Sequence, residues 1–142
     1  MLRIVLPLIA VLWSEQSFAQ TAFLDKREFS ARNGVVMVKL GVSHSRQEAV
    51  QLTVRLKAAG RDPQTPGAAV PEPVTILPRE FKIPPGKLRK VMISFEPNVT
   101  TRTPYFACVL YQPPVERIDR GDRVGGSMLL ATESCSRFWV VP

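Results

Sequence analysis

Histidine and cysteine are scarce in this chain: there is one histidine, His44, and there are two cysteines, Cys108 and Cys135. That scarcity removes whole classes of chemistry. A transition-metal site draws on histidine and thiolate at short spacings, and no such cluster can be assembled here, so no metal is expected. A Ser-His-Asp arrangement needs its histidine beside the nucleophile. His44 instead lies in Gly-Val-Ser-His-Ser-Arg-Gln-Glu, a polar turn in which a solvated ring is expected. There is no CxxC for redox exchange and no glycine-rich loop to cradle phosphate. Asp25, Glu28, Asp119 and Asp122 read as turn or surface residues rather than an acid–base pair. The inventory predicts no catalytic residue, no cofactor and no enzyme.

Helical periodicity is also missing. Thirteen prolines among 142 residues each fix φ and remove a backbone donor, which leaves no window for a long helix. Long apolar runs are confined to the start. Ile4 to Trp13 follows one positive charge at Arg3, and a polar stretch then ends in Ser17-Phe18-Ala19. The run is short for a bilayer span, and small residues at −3 and −1 fit a secretory signal cut after Ala19 rather than a membrane anchor. Residues 1–19 are therefore expected to be removed, leaving 20–142 as one domain without stable membrane insertion. Arg3 and Glu15 cancel, so the formal charge of +7 belongs to the remaining domain. A basic exported domain favours acidic partners. Its cations are dispersed, without the basic–aromatic run of a nucleic-acid binder, and nucleic acid is not expected as a partner.

What is present is alternation. In Val50–Lys57, Val50, Leu52, Val54 and Leu56 alternate with Gln51, Thr53, Arg55 and Lys57, the pattern of a half-buried strand. Val35–Val42 follows the turn signal Asn33-Gly34 and offers Val36, Val38, Leu40 and Val42 as its inward set. Leu88–Phe95 places Val91, Ile93 and Phe95 together. Phe23–Ser30, Val74–Ile83, Tyr105–Tyr111 and Gly126–Val141 complete seven candidate strands. Ala58–Pro73, rich in proline and small residues, reads as a long loop. Seven short strands with Gly/Pro turns predict an all-β fold, a seven-stranded antiparallel immunoglobulin-like β-sandwich.

The midpoint between Cys108 and Cys135 falls between Gly121 and Asp122. A hairpin turning there sets the cysteines opposite one another, with Cα atoms about 4.5–5.5 Å apart, within reach of a disulfide. The alternative is a pair of buried thiols. Arg120-Gly121-Asp122 at the same tip is read as turn chemistry rather than a cell-attachment motif. In the last strand Cys135, Arg137, Trp139 and Val141 share one side, and Ser136, Phe138 and Val140 the other. Phe138 and Trp139 are both expected in the core, because large aromatics supply most core area.

Three segments in order, Ile76–Phe95 with its Pro-Pro-Gly turn, Thr103–Pro114, and Leu129–Pro142 ending basic–aromatic–proline, resemble the N-terminal domain of periplasmic pilus-assembly chaperones of the chaperone–usher pathway. The resemblance implies a chaperone that lends its last strand to the open groove of a pilus subunit in the periplasm and then engages an outer-membrane usher. It implies that Arg27, in Lys26-Arg27-Glu28-Phe29, and Arg137 hold the subunit's C-terminal carboxylate. The donor side chains would be Met128, Leu130 and Thr132. A Cys108–Cys135 bridge resembles the disulfide of the long-loop branch. The familiar chaperones continue into a second domain, whereas this sequence ends at Pro142, so a single domain without a second one is expected. A structural or accessory immunoglobulin-like component of a surface fibre or envelope complex is the alternative.

Overall fold

In the computed structural model of the chain, the described residues are 20–71, 73–113 and 131–142. They form ten strands: β1 (Gln20–Leu24), β2 (Glu28–Ser30), β3 (Val36–His44), β4 (Val50–Ala59), β5 (Pro66–Ala69), β6 (Val74–Leu77), β7 (Glu80–Ile83), β8 (Arg89–Phe95), β9 (Thr103–Tyr111) and β10 (Thr132–Val141). One sheet has the order β1-β3-β8-β6. The other runs β2-β10-β9-β4-β5, with β7 sharing the outer edge of β4. No helix among the described residues is long and apolar enough to cross a membrane.

The core is the apolar half of each alternation. Val36, Val38, Leu40 and Val42 of β3, Leu52, Val54 and Leu56 of β4, and Val91, Ile93 and Phe95 of β8 are all buried between the sheets. Asn33 and Gly34 both take positive φ, and Arg32 and Val35 exchange backbone hydrogen bonds across them. That is the two-residue turn whose twist suits a hairpin, and it favours Asn-Gly for its left-handed backbone.

The all-β sandwich is as expected, but two of the seven segments each divide into two strands and the predicted loop adds another, which makes ten. Phe23–Ser30 contains the junction of two strands in different sheets: β1 pairs with β3, then the chain crosses at Asp25–Arg27 and β2 joins β10. Val74–Ile83 likewise divides at Pro78-Arg79, with β6 in the first sheet and β7 in the second. A proline cannot donate to a ladder, which favours a break there. The predicted loop carries β5, which pairs with the end of β4. The β2–β10 pair is parallel, so the sandwich is not wholly antiparallel.

His44 corrects the solvated-turn expectation. It closes β3 in a buried position, where Nε2 lies 2.8 Å from the Ile83 carbonyl and Nδ1 accepts the Arg46 N–H at 3.2 Å. A carbonyl only accepts, so the ring is the Nε2–H tautomer. Both nitrogens are used to close the strand end, a structural role.

Candidate functional site

β10 and β9 pair without a shift from Thr132↔Tyr111 through Cys135↔Cys108 to Val140↔Thr103. The opposed cysteines are bonded, with Cα atoms 4.1 Å apart. Glu133 lies beside these sulfurs, but sulfurs tied to one another present no thiolate pair to a metal. Lys57 of β4 reaches across β9 to pair with Glu133, adding a second tie to the start of the strand. Reduction of the bridge, or Cys108→Ser with Cys135→Ser, is expected to lower unfolding stability by about 3–4 kcal/mol, because the 27-residue separation restricts the unfolded chain. Equilibrium denaturation with and without reductant measures this; superimposed curves would remove the bridge from the account.

The other edge of β10 has a different character along its length. β2 pairs with Trp139–Val141, and the Trp139 N–H donates to the Arg27 carbonyl at 2.8 Å. Among the described residues, no strand pairs that edge from Thr132 to Phe138. An unpaired strand edge is a template for another chain, and proteins usually blunt theirs. β1 comes near β10 and β9, and each hydrogen bond that joins it to them involves a side chain. Gln20 Nε2 donates to the carbonyls of Val109 and Thr132 (3.1 and 2.5 Å), the Thr132 hydroxyl meets Gln20 Oε1 at 3.2 Å, and Ser136 Oγ donates to Ala22 O at 2.7 Å.

The two arginines singled out in the sequence meet where the free edge ends. Arg27 occupies the crossover just before β2, and its Nη1 lies 3.1 Å from the Arg137 carbonyl. Arg27 is exposed, while Arg137 is half-buried on the outer face of β10. The fold has therefore joined residues 110 positions apart into one basic corner. Thr132 stands exposed at the first position of β10. Met128, Leu130 and the Arg120-Gly121-Asp122 tip lie outside the described residues, as does the signal segment 1–19.

Phe138 and Trp139 do not share the core. Phe138 is fully buried, with ring centroids 5.4 Å from Phe29, 6.0 Å from Tyr105 and 6.3 Å from Phe95. Burial raises the Tyr105 phenol above its ordinary pKa of 10.0, so this cluster stays uncharged at neutral pH. Trp139, one residue on, must face the opposite side of the pleat. There its ring lies 4.0 Å from the Arg102 guanidinium carbon and 5.2 Å from that of Arg137. Arg102 also pairs with Glu28 of β2, Nε to Oε2 at 3.3 Å. Sequence reading missed Arg102, since nothing in Thr-Thr-Arg-Thr-Pro marks it. The outward side of Trp139 was legible in the alternation that groups it with Arg137.

Away from this corner, the outer face of the first sheet exposes Phe23, Met37, Leu77 and Leu88. Gly41 leaves a gap there, which the Leu88 side chain borders.

No family model matches the chain, and no curated protein matches it at significant sequence similarity. Solved structures do match. The chain is similar to the E. coli chaperone DraB at 15% identity and a TM-score of 0.60, covering 88% of this chain and 56% of that one. A structure of the Salmonella enterica SafA pilin in complex with the SafB chaperone gives 17% identity, a TM-score of 0.58 and coverage of 88% and 55%. The Pseudomonas aeruginosa CupB2 chaperone gives 15% identity, a TM-score of 0.54 and coverage of 86% and 55%. The chain thus spans little more than half the length of the chains it matches, and the likeness is one of fold.

Proposed function

We propose that this chain, which has the fold of the chaperone–usher pilus chaperones, acts as a non-enzymatic periplasmic chaperone for a pilus subunit. The observation that carries the reading is the joining of one unpaired strand edge to one basic corner. A guest strand laid along Thr132–Phe138 would meet β2 end to end at Arg27. If it runs in the same direction as β2, parallel to β10, its last residue arrives at Arg27 and Arg137. A C-terminal carboxylate is the group suited to two guanidinium forks, which stay charged and offer paired donors. Backbone hydrogen bonds to β10 would supply affinity, and the alternate side chains of the lent strand, Met128, Leu130 and Thr132, would fill the guest's groove.

The structural neighbours support the choice of guest: SafB is seen with the SafA pilin, and the Acinetobacter baumannii chaperone CsuC with the tip subunit CsuE. An outer-membrane usher is the second proposed partner. The exposed Phe23, Met37, Leu77 and Leu88 give it a surface separate from the β10 edge. Such a cluster of exposed apolar side chains marks an interaction face.

The reading is tested by producing the chain together with a pilus subunit and fractionating the cells. A soluble complex in the periplasm, with the chain absent from sheared fibres, is expected. Recovery of the chain as a stoichiometric part of the fibre would instead make it a structural component.

A further inference from the structure

The basic corner has a support that the carboxylate-anchoring reading does not by itself require. Four side chains from three parts of the fold are layered there: Glu28 from β2, Arg102 from the turn before β9, and Trp139 and Arg137 from β10. Trp139 pairs in register with Glu28 on one side and with Pro104 on the other, so its indole stands over the junction of all three strands. Arg102 lies against the ring at 4.0 Å, and Glu28 holds its guanidinium at 3.3 Å. Arg137 lies 5.2 Å from the same ring and, among the described residues, has no carboxylate partner.

The two cations beside the indole are thus unequal. Arg102 is already offset by Glu28, so the charge left for an incoming anion is that of Arg137. An arginine side chain otherwise loses much rotamer freedom when it takes a ligand, and one held beforehand on an aromatic face loses less. We propose that Trp139 is a positioning residue. Braced by Arg102 and Glu28, it holds the Arg137 guanidinium ready for the guest's terminal carboxylate. The proposal rests on the carboxylate-anchoring reading and adds to it the element that sets the strength of the anchor.

The test uses a decapeptide of alternating valine and threonine ending in a free carboxylate, and the same peptide amidated at its C-terminus. Dissociation constants are measured for the unaltered chain, Trp139→Leu, Trp139→Phe, Arg137→Ala, and Trp139→Leu with Arg137→Ala. The unaltered chain is expected to prefer the free acid, and Trp139→Leu to weaken acid binding roughly 3- to 10-fold, the factor for immobilising one long side chain. Amide binding should not change. Trp139→Phe, which keeps an aromatic face, should recover most of the loss, and Trp139→Leu should cost nothing further once Arg137 is alanine. An equal loss for acid and amide, or the same loss in the Arg137→Ala background, would show that the indole only packs, and would overturn the proposal. Equal or absent binding of both peptides by the unaltered chain would overturn the anchoring reading and the proposal with it. Should Trp139→Leu fail to fold, Arg102→Gln, at a side chain 54% exposed, carries the same comparison with a smaller loss confined to the acid.

Discussion

Alanine at both Arg27 and Arg137 is expected to prevent recovery of a complex with the pilus subunit while leaving the free domain folded. The two positions should not be equal. Arg27 is exposed and already spends one N–H on the Arg137 carbonyl, 3.1 Å away. Arg137 is half-buried beside Trp139. Removing one partner of a desolvated charged contact costs about 2–5 kcal/mol. Arg137→Ala is expected toward the upper end of that range and Arg27→Ala toward the lower. Arg137→Lys should restore only part of the loss, because an ammonium lacks the planar fork that meets both carboxylate oxygens. Stability supplies the control. Neither guanidinium is in the core, so each single variant should unfold within about 0.5 kcal/mol of the parent. Titration of purified subunit against each variant, beside its denaturation curve, checks the pair of expectations. A complex that survives the double substitution removes the anchor.

Phe138→Ala should have the largest effect on the fold itself. The side chain is fully buried, and it touches aromatic rings from β2, β8 and β9: Phe29, Phe95 and Tyr105. Its removal leaves a void where both sheets meet the last strand. Losing a buried phenylalanine costs about 3–5 kcal/mol, a large share of what holds a small domain together. The loss should be local as well as global. Because Phe29 packs edge-on against Phe138 at 5.4 Å, the short β2 would lose its main apolar contact, and Arg27 would lose the geometry that places it. Phe138→Leu should retain much of the stability by refilling most of the volume. Chemical denaturation reports the global loss. An alanine variant as stable as the parent would show that the ring cluster does not pin β10.

The sandwich was legible because its signal is local. Val50 to Leu56 alternates cleanly, and Val36 to Val42, though more evenly apolar, offers one branched inward set, so both strands and their buried faces follow from the sequence. The register of the last two strands followed from the cysteine spacing, since only one pairing sets Cys108 against Cys135. The sheet switches at Asp25–Arg27 and Pro78-Arg79 were not legible, because which sheet a strand joins is decided by partners far away in the chain. His44 was misread for a related reason. Its neighbours are polar, yet the group that satisfies its Nε2 is the carbonyl of Ile83, 39 residues on.

The site divides in the same way. Arg137 and Arg27 were singled out only through the resemblance to the pilus chaperones. It matches Arg137 by its place before Phe138 and Trp139 and Arg27 by its place before Glu28 and Phe29; the residues alone mark neither. Their meeting at one corner depends on β2 pairing in parallel with β10, a contact that no periodicity encodes. Arg102 reaches Trp139 and Glu28 from the other side of the sequence and could be found only in three dimensions. Its local sequence is that of any polar turn.

Amide hydrogen exchange across Thr132–Arg137, with and without bound subunit, addresses the central claim most directly. A lent edge requires the outward-facing backbone N–H groups of this stretch to exchange readily in the free protein and to slow strongly once a guest strand covers them. Unchanged exchange there in a demonstrated complex, with protection appearing elsewhere on the domain, would mean that the guest is held by another surface.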